Sequence, residues 1–203
     1  MAGVNARPED TRDVYERRAA AYDAQRSRAL FEARWLARFA ACLPAGGEVL
    51  DLGCGAGEPI ARWFIAEGFA LTGVDFSNAM LEIARSRWPD GDWRQADMRS
   101  LDLGKTFDGI VAWDSFFHLT PAEQTHTIGL MAQHLKPGGS LLLTVGPNAG
   151  EVSGTVGGDP VYHASLSPAG YATCLEENGM ILTGFLSEDP ETDRHSVLMA
   201  CKD

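Results

Sequence analysis

The stretch VLDLGCGAGEP, Val49 to Pro59, places a glycine-rich turn directly after a short apolar run. Gly53, Gly55 and Gly57 let backbone approach a ligand closely and take conformations that a Cβ forbids. Alone, such a pattern is weak evidence; its surroundings decide the fold. From Gly47 onward strands and helices alternate. EVLDLG reads as a strand, EPIARWFIAEGF as a helix, ALTGVD as the next strand and NAMLEIARSRW as the next helix. WRQAD is a strand ending on an acid, FDGIVAW another strand, PAEQTHTIGLMAQHL a helix, and SLLLTV a strand after the turn at Lys136 to Gly139. Strands this apolar, separated by helices, predict a parallel sheet covered on both faces. MILTGFLS and HSVLMACK follow, joined by EDPETDR. A connection that short permits only an antiparallel hairpin.

The rest of the chain frames this unit. One domain is expected over residues 1–203, with N-terminal helices over 1–45. Pro8 and neighbouring acids open the first helix, in which Tyr15, Ala19 and Tyr22 share a face; Phe31, Trp35, Phe39 and Cys42 repeat the helical spacing. Residues 146–166 are rich in glycine and break the alternation, which predicts a substrate or lid loop. A net charge of −11, from 17 basic and 28 acidic residues, leaves little material for a phosphate-tracking surface, so no nucleic-acid partner is expected. The first 25 residues are charged and lack an apolar core segment, so neither a signal peptide nor a membrane span is predicted. Cys42, Cys54, Cys174 and Cys201 are widely spaced, which favours reduced thiols and a cytoplasmic setting. The histidines show no ligand spacing, so no metal is expected.

In an open parallel sheet, ligands lie beyond the carboxyl ends of the strands. A dinucleotide turn carries glycine or alanine where this chain has Glu58, and a carboxylate in the first helical turn repels a diphosphate. Asp51 adds a second negative charge at the strand end. These features suit a nucleoside ligand with positive groups and no phosphates, and S-adenosylmethionine fits. Asp75 closes the second strand, where a carboxylate can accept from both ribose hydroxyls, and Phe76 can lie against adenine. Asp97 closes the third strand within reach of the adenine amino group, beside Met98. An acid at a strand end also caps turns and helices, so each keeps a structural alternative. For Asp75 the alternatives are an exposed ligand contact with few structural obligations, or the cap of a helix starting near Asn78.

With these residues in place, the chain resembles a class I S-adenosylmethionine-dependent methyltransferase. VLDLGCGAGEP is similar to that family's first motif, GVDFS to its second-strand loop, QADMRSLDL to its third, FDGIVAWDSFFHL to its fourth-strand segment and LKPGGSLLLTV to its fifth. VYERRAAAYDAQRSR and VYHASLSPAGY look most like small bacterial enzymes acting on small molecules. The resemblance implies a Rossmann-like, doubly wound seven-stranded α/β sheet, mostly parallel with an antiparallel last strand. It implies methyl transfer to a small-molecule acceptor, with S-adenosylhomocysteine as product. The cofactor site it implies comprises Tyr22, Asp51, Gly53, Cys54, Gly55, Asp75, Phe76, Ser77, Met80, Asp97, Met98, Trp113 and Asp114.

Methyl transfer from a sulfonium is an in-line displacement that gains chiefly from holding two reactants in line. A base is needed only where the acceptor carries a proton at neutral pH. His118, after the fourth strand, and His163, in the glycine-rich segment, are the candidates for that role. His126, His134 and His195 read as structural or exposed. Two rival functions share the scaffold: a non-catalytic S-adenosylmethionine binder and a nicotinamide-dependent oxidoreductase.

Overall fold

A computed structural model describes residues 5–203; residues 1–4 of the expected N-terminal segment lie outside them. Seven strands form the main sheet: β1 Glu48–Leu52, β2 Ala70–Asp75, β3 Asp92–Gln95, β4 Phe107–Ala112, β5 Leu135–Val145, β8 Met180–Asp189 and β9 His195–Lys202. Their order is β3-β2-β1-β4-β5-β9-β8. β1 to β5 pair in parallel, and β9 runs antiparallel between β5 and β8. The helices are α1 Thr11–Gln25, α2 Ala33–Ala40, α3 Ile60–Ala66, α4 Asn78–Arg87, α5 Pro121–His134 and α6 Pro168–Glu177.

Strand periodicity assigns the two faces. Leu50, Ile110 and Leu141 pack with Ile128 and Met131 of α5 and Tyr171 of α6. Their neighbours Val49, Val111 and Leu142 pack on the opposite side with Trp35, Leu36 and Phe39 of α2 and Phe64 of α3. Strands buried on both sides in this way read as continuous apolar runs, as these do. Helix starts follow local chemistry. Ser77 caps α4, and Thr120 with Glu123 forms a capping box that opens α5 ahead of Pro121.

Two expectations change. Of the aromatic stripe, Trp35 and Phe39 are buried in α2, whereas Phe31 precedes the helix and Cys42 lies past its end, exposed. The glycine-rich segment 146–166 is a β-hairpin rather than a loop. β6 Gly150–Val156 and β7 Asp159–Ser165 pair antiparallel around Gly157 and Gly158, both at positive φ. Two such residues between strands make a favoured hairpin turn. The other glycines obscured the strand pattern, yet one has a packing reason. The His163 ring lies across Gly154, 2.4 Å from where a Cβ would sit.

Candidate active site

A cleft opens at the carboxyl ends of β1, β2 and β4, where the turn after β1 lines it with Gly53, Cys54 and Gly55. Gly53 has φ +83°, and its N–H donates to the Val74 carbonyl at 2.7 Å. The Ser115 side chain occupies the space a Cβ would need there, 2.2 Å away, and Ser115 Oγ donates to the Leu52 carbonyl at 2.7 Å. The turns after β1 and β4 are thereby locked together.

Among the acids that line the cleft are the three expected at the ends of β1, β2 and β3: Asp51, Asp75 and Asp97. Asp51 and Asp75 are both buried. Burial, and then the charge of Asp75, pushes Asp51 up to about 7. Burial raises Asp75 to about 6 against the pull of its backbone donors. Those donors are the N–H groups of Gly55, to Oδ2, and Ser77, to Oδ1, each at 2.8 Å. Asp75 therefore differs from both readings of the sequence. It is neither exposed nor the α4 cap, because Ser77 Oγ takes the Met80 N–H at 3.2 Å. Asp97 has structural work as well. It caps the short turn at Met98–Ser100 and pairs with Arg99 at 2.6 Å, which reaches Glu123 at 3.2 Å.

Helix α1 covers the cleft, contributing Tyr15, Tyr22 and Asp23 to its wall, with Arg26 at the helix's C-terminal end. Polar links hold it down. Glu16 accepts from Ser77 Oγ at 2.7 Å and from the Ala79 N–H, Asp23 pairs with Arg87 of α4, and Arg18 pairs with Asp159 of the hairpin at 2.9 Å. Arg28, just past the helix, pairs with Glu58. Glu58 precedes α3 and is also approached by Arg62, so its charge is countered. The case against a diphosphate thus rests on Asp51 and Asp75 rather than on Glu58. Phe76, Met80, Met98, Trp113 and Asp114 also line the cleft. Ser77 does not: it is fully buried beneath Glu16 as the α4 cap.

The two candidate bases separate. His118 lines the cleft, while His163 is not on its wall and packs behind, 4.9 Å from the His118 ring and 4.7 Å from Phe117. His118 Nδ1 lies 2.8 Å from the Tyr162 carbonyl, so it carries the proton. Nε2 then accepts from the Tyr15 hydroxyl at 2.9 Å. Burial, reinforced by His163, lowers His118 to about 4. The ring is neutral at physiological pH. Asp114 adopts φ +53° and donates its N–H to Thr144 Oγ1 at 2.8 Å. Its carboxylate meets His195 at 2.8 Å and Arg26 at 3.4 Å. Tyr15, Arg26 and His195 were not singled out for the site from the sequence. Tyr15 shared a helical face with Tyr22, but nothing marked His195. Among the described residues no helix is long and apolar enough to cross a membrane, and no cluster of three metal-ligating side chains occurs.

Residues 49–139 match the methyltransferase domain family. The dTDP-3-amino-3,4,6-trideoxy-alpha-D-glucopyranose N,N-dimethyltransferase of Streptomyces venezuelae is 33% identical over 102 residues, 49% of this chain and 43% of that protein. The 27-O-demethylrifamycin SV methyltransferase of Amycolatopsis mediterranei is 35% identical over 115 residues, 52% of this chain and 42% of that protein. The chain thus spans less than half the length of these two relatives. Among solved structures, S-adenosylmethionine-bound CalS10, an amino pentose methyltransferase from Micromonospora echinaspora, superposes with a TM-score of 0.70 at 22% identity, covering 92% of this chain and 96% of that one.

Proposed function

We propose that this chain, whose residues 49–139 match the methyltransferase domain family, is a class I S-adenosylmethionine-dependent methyltransferase that transfers a methyl group from S-adenosylmethionine to a small-molecule acceptor. The observation that carries this reading is the pair of buried carboxylates, Asp51 and Asp75, on one cleft wall. Buried carboxyls whose ionisation is held back by burial and by neighbouring carboxylates gain from a cationic partner, and a diphosphate would oppose their charge further. Two further groups fit a polar ligand. Thr11 Oγ1 and Trp113 Nε1 are buried without a hydrogen-bond partner among the described residues, and both residues line the cleft.

When bound, S-adenosylmethionine supplies a methyl group activated by a positively charged sulfur. The chain's own residues do the rest. Each oxygen of Asp75 already takes one backbone N–H, and a carboxylate has about four acceptor sites. One site per oxygen is left for the ribose hydroxyls. Phe76, Asp97 and Met98 would hold the adenine end, and Asp51 would offer its carboxylate to the ammonium. Tyr15 donates to His118 and keeps its oxygen lone pairs for a donor on the methyl acceptor, which orients that atom. His118 is a weak base here. Its Nδ1 partner is a carbonyl rather than a carboxylate, and the charge of Asp114 is too little to offset burial of an imidazolium. The pair therefore positions more than it deprotonates. An acceptor atom that attacks with a lone pair already free, such as an amine bound in its unprotonated form, suits that arrangement. The four free thiols support a cytoplasmic setting.

Calorimetry with S-adenosylhomocysteine and NAD tests the ligand: S-adenosylhomocysteine should bind and NAD should not. Labelled methyl incorporation into a metabolite extract tests the chemistry. Tight NAD binding without a response to S-adenosylhomocysteine would mark an oxidoreductase. Cofactor binding without methyl transfer would mark a sensor.

A further inference from the structure

His195 stands at the start of β9, packed against Phe31 with ring centroids 5.5 Å apart and against Trp113 at 5.6 Å. Nδ1 lies 2.9 Å from the Thr192 carbonyl and Nε2 lies 2.8 Å from Asp114 Oδ1. A carbonyl and a carboxylate can only accept, so each contact requires an N–H. A neutral imidazole has one N–H and an imidazolium has two. The geometry therefore selects the charged ring. Beyond Asp114 the alternation of charge continues: Arg26 reaches Asp114 Oδ2 at 3.4 Å and Glu32, fully buried, at 2.5 Å. Asp114 and Arg26 both line the cleft; His195 does not.

We propose that His195 is a positioning residue for the cleft: its imidazolium fixes the Asp114 carboxylate, and with it Arg26, as a charge clamp against the bound ligand. The proposal rests on the cleft being the S-adenosylmethionine site. His195 bears on the ligand only through Asp114. Removal of its proton turns one N–H···O contact into an opposition of lone pairs, and leaves Asp114 and Glu32 sharing Arg26 alone. The clamp then carries a net negative charge and loses its second anchor. Asp114 favours the charged form of His195, and so does the Thr192 carbonyl, with Asp193 of the same loop adding to them; burial opposes it. Tyr22 faces Asp114 from α1, and its burial keeps it protonated. The balance raises His195 to about 8. The clamp is thus complete at neutral pH and comes apart above it.

The test is S-adenosylhomocysteine binding by calorimetry between about pH 6.5 and about pH 9.5, a range that brackets the raised value and starts at the ordinary histidine value. Wild type is compared with His195→Gln and Asp114→Asn, and the ligand's own amine titrates alike in all three. Wild-type affinity should fall on the order of 10-fold across the range beyond what His195→Gln shows, the size expected for one charge-assisted hydrogen bond. His195→Gln should be weak already at the low end and lack this step. His195→Gln tracking wild type at every pH, with an unchanged melting temperature, would overturn the proposal. A second arm follows the His195 ring by NMR. Its titration should move down in Asp114→Asn, and an unmoved titration overturns the clamp even if S-adenosylhomocysteine gives no heat with any form. No heat from wild type at any pH, with the ring titration moving as expected, would sink the cofactor reading and leave the clamp standing.

Discussion

The Tyr15 hydroxyl donates to His118 Nε2 across 2.9 Å, joining a helix that covers the cleft to a turn that floors it. Tyr15→Phe removes that donor and the free lone pairs of its oxygen while keeping the ring. The unmet His118 acceptor should cost on the order of 1 kcal/mol of stability. S-adenosylhomocysteine affinity should stay within a few-fold of wild type while methyl transfer falls by at least about tenfold. A thermal melt, a titration and a turnover assay check this together. Unchanged turnover would remove Tyr15 from the acceptor site.

Asp75→Ala strips the acceptor from two N–H groups, on half-buried Gly55 and buried Ser77. Each unmet donor costs about 1–3 kcal/mol, partly offset by the loss of a buried charge. A net destabilisation of roughly 1–2 kcal/mol is expected, together with a loss of S-adenosylhomocysteine affinity on the order of 100-fold. The structure thus links effects that the sequence alone set against each other. A wild-type melt with weakened binding would contradict the observed hydrogen bonds.

Gly53→Ala forces a Cβ into Ser115 at 2.2 Å and a side chain onto φ +83°. Overpacking and strain each cost about 1–3 kcal/mol. Adding Ser115→Gly should restore the steric share of the lost melting temperature and leave the backbone share. Full recovery in the double variant would mean that φ contributes nothing.

Proton release on ligand binding offers a check independent of stability variants. Asp51 and Asp75 are raised on folding, so their contribution is complete below the ordinary carboxylate value and is lost as pH rises through about 6 and about 7. His118 runs the other way: lowered to about 4, it costs stability as pH falls below the ordinary histidine value. A cationic ligand beside Asp51 lowers that carboxyl again and expels its proton. S-adenosylhomocysteine binding near neutral pH should therefore release protons, seen as a calorimetric enthalpy that depends on the buffer. Asp51→Asn should remove most of that dependence.

The sheet and the acids at its strand ends were legible because both are local. Apolar runs give the strands, and an acid closing a run marks the side where ligands lie. What each acid touches was not legible. Asp75 is buried because α1 comes down over it, and the link that holds α1 there, Glu16 to Ser77, spans 61 residues. His195 read as structural because its partner, Asp114, lies 81 residues earlier and meets it only through the insertion of β9 beside β5. The hairpin hid behind glycines that serve a turn and a ring rather than disorder. Glu58 was read without its partner because Arg28 lies 30 residues earlier and meets it only in the folded chain.

The place of β9 bears on how the molecule is assembled. It is the last strand in chain order, yet it sits inside the sheet, with β5 on one side and β8 on the other. Until it inserts, β8 has no neighbour in the sheet and β5 presents a bare edge, the kind of surface that invites pairing with a second chain. The residue that leads β9 in is His195, the partner of Asp114. The β5–β9 register and the charge pair are thus coupled: His195 meets Asp114 only where β9 lies beside β5.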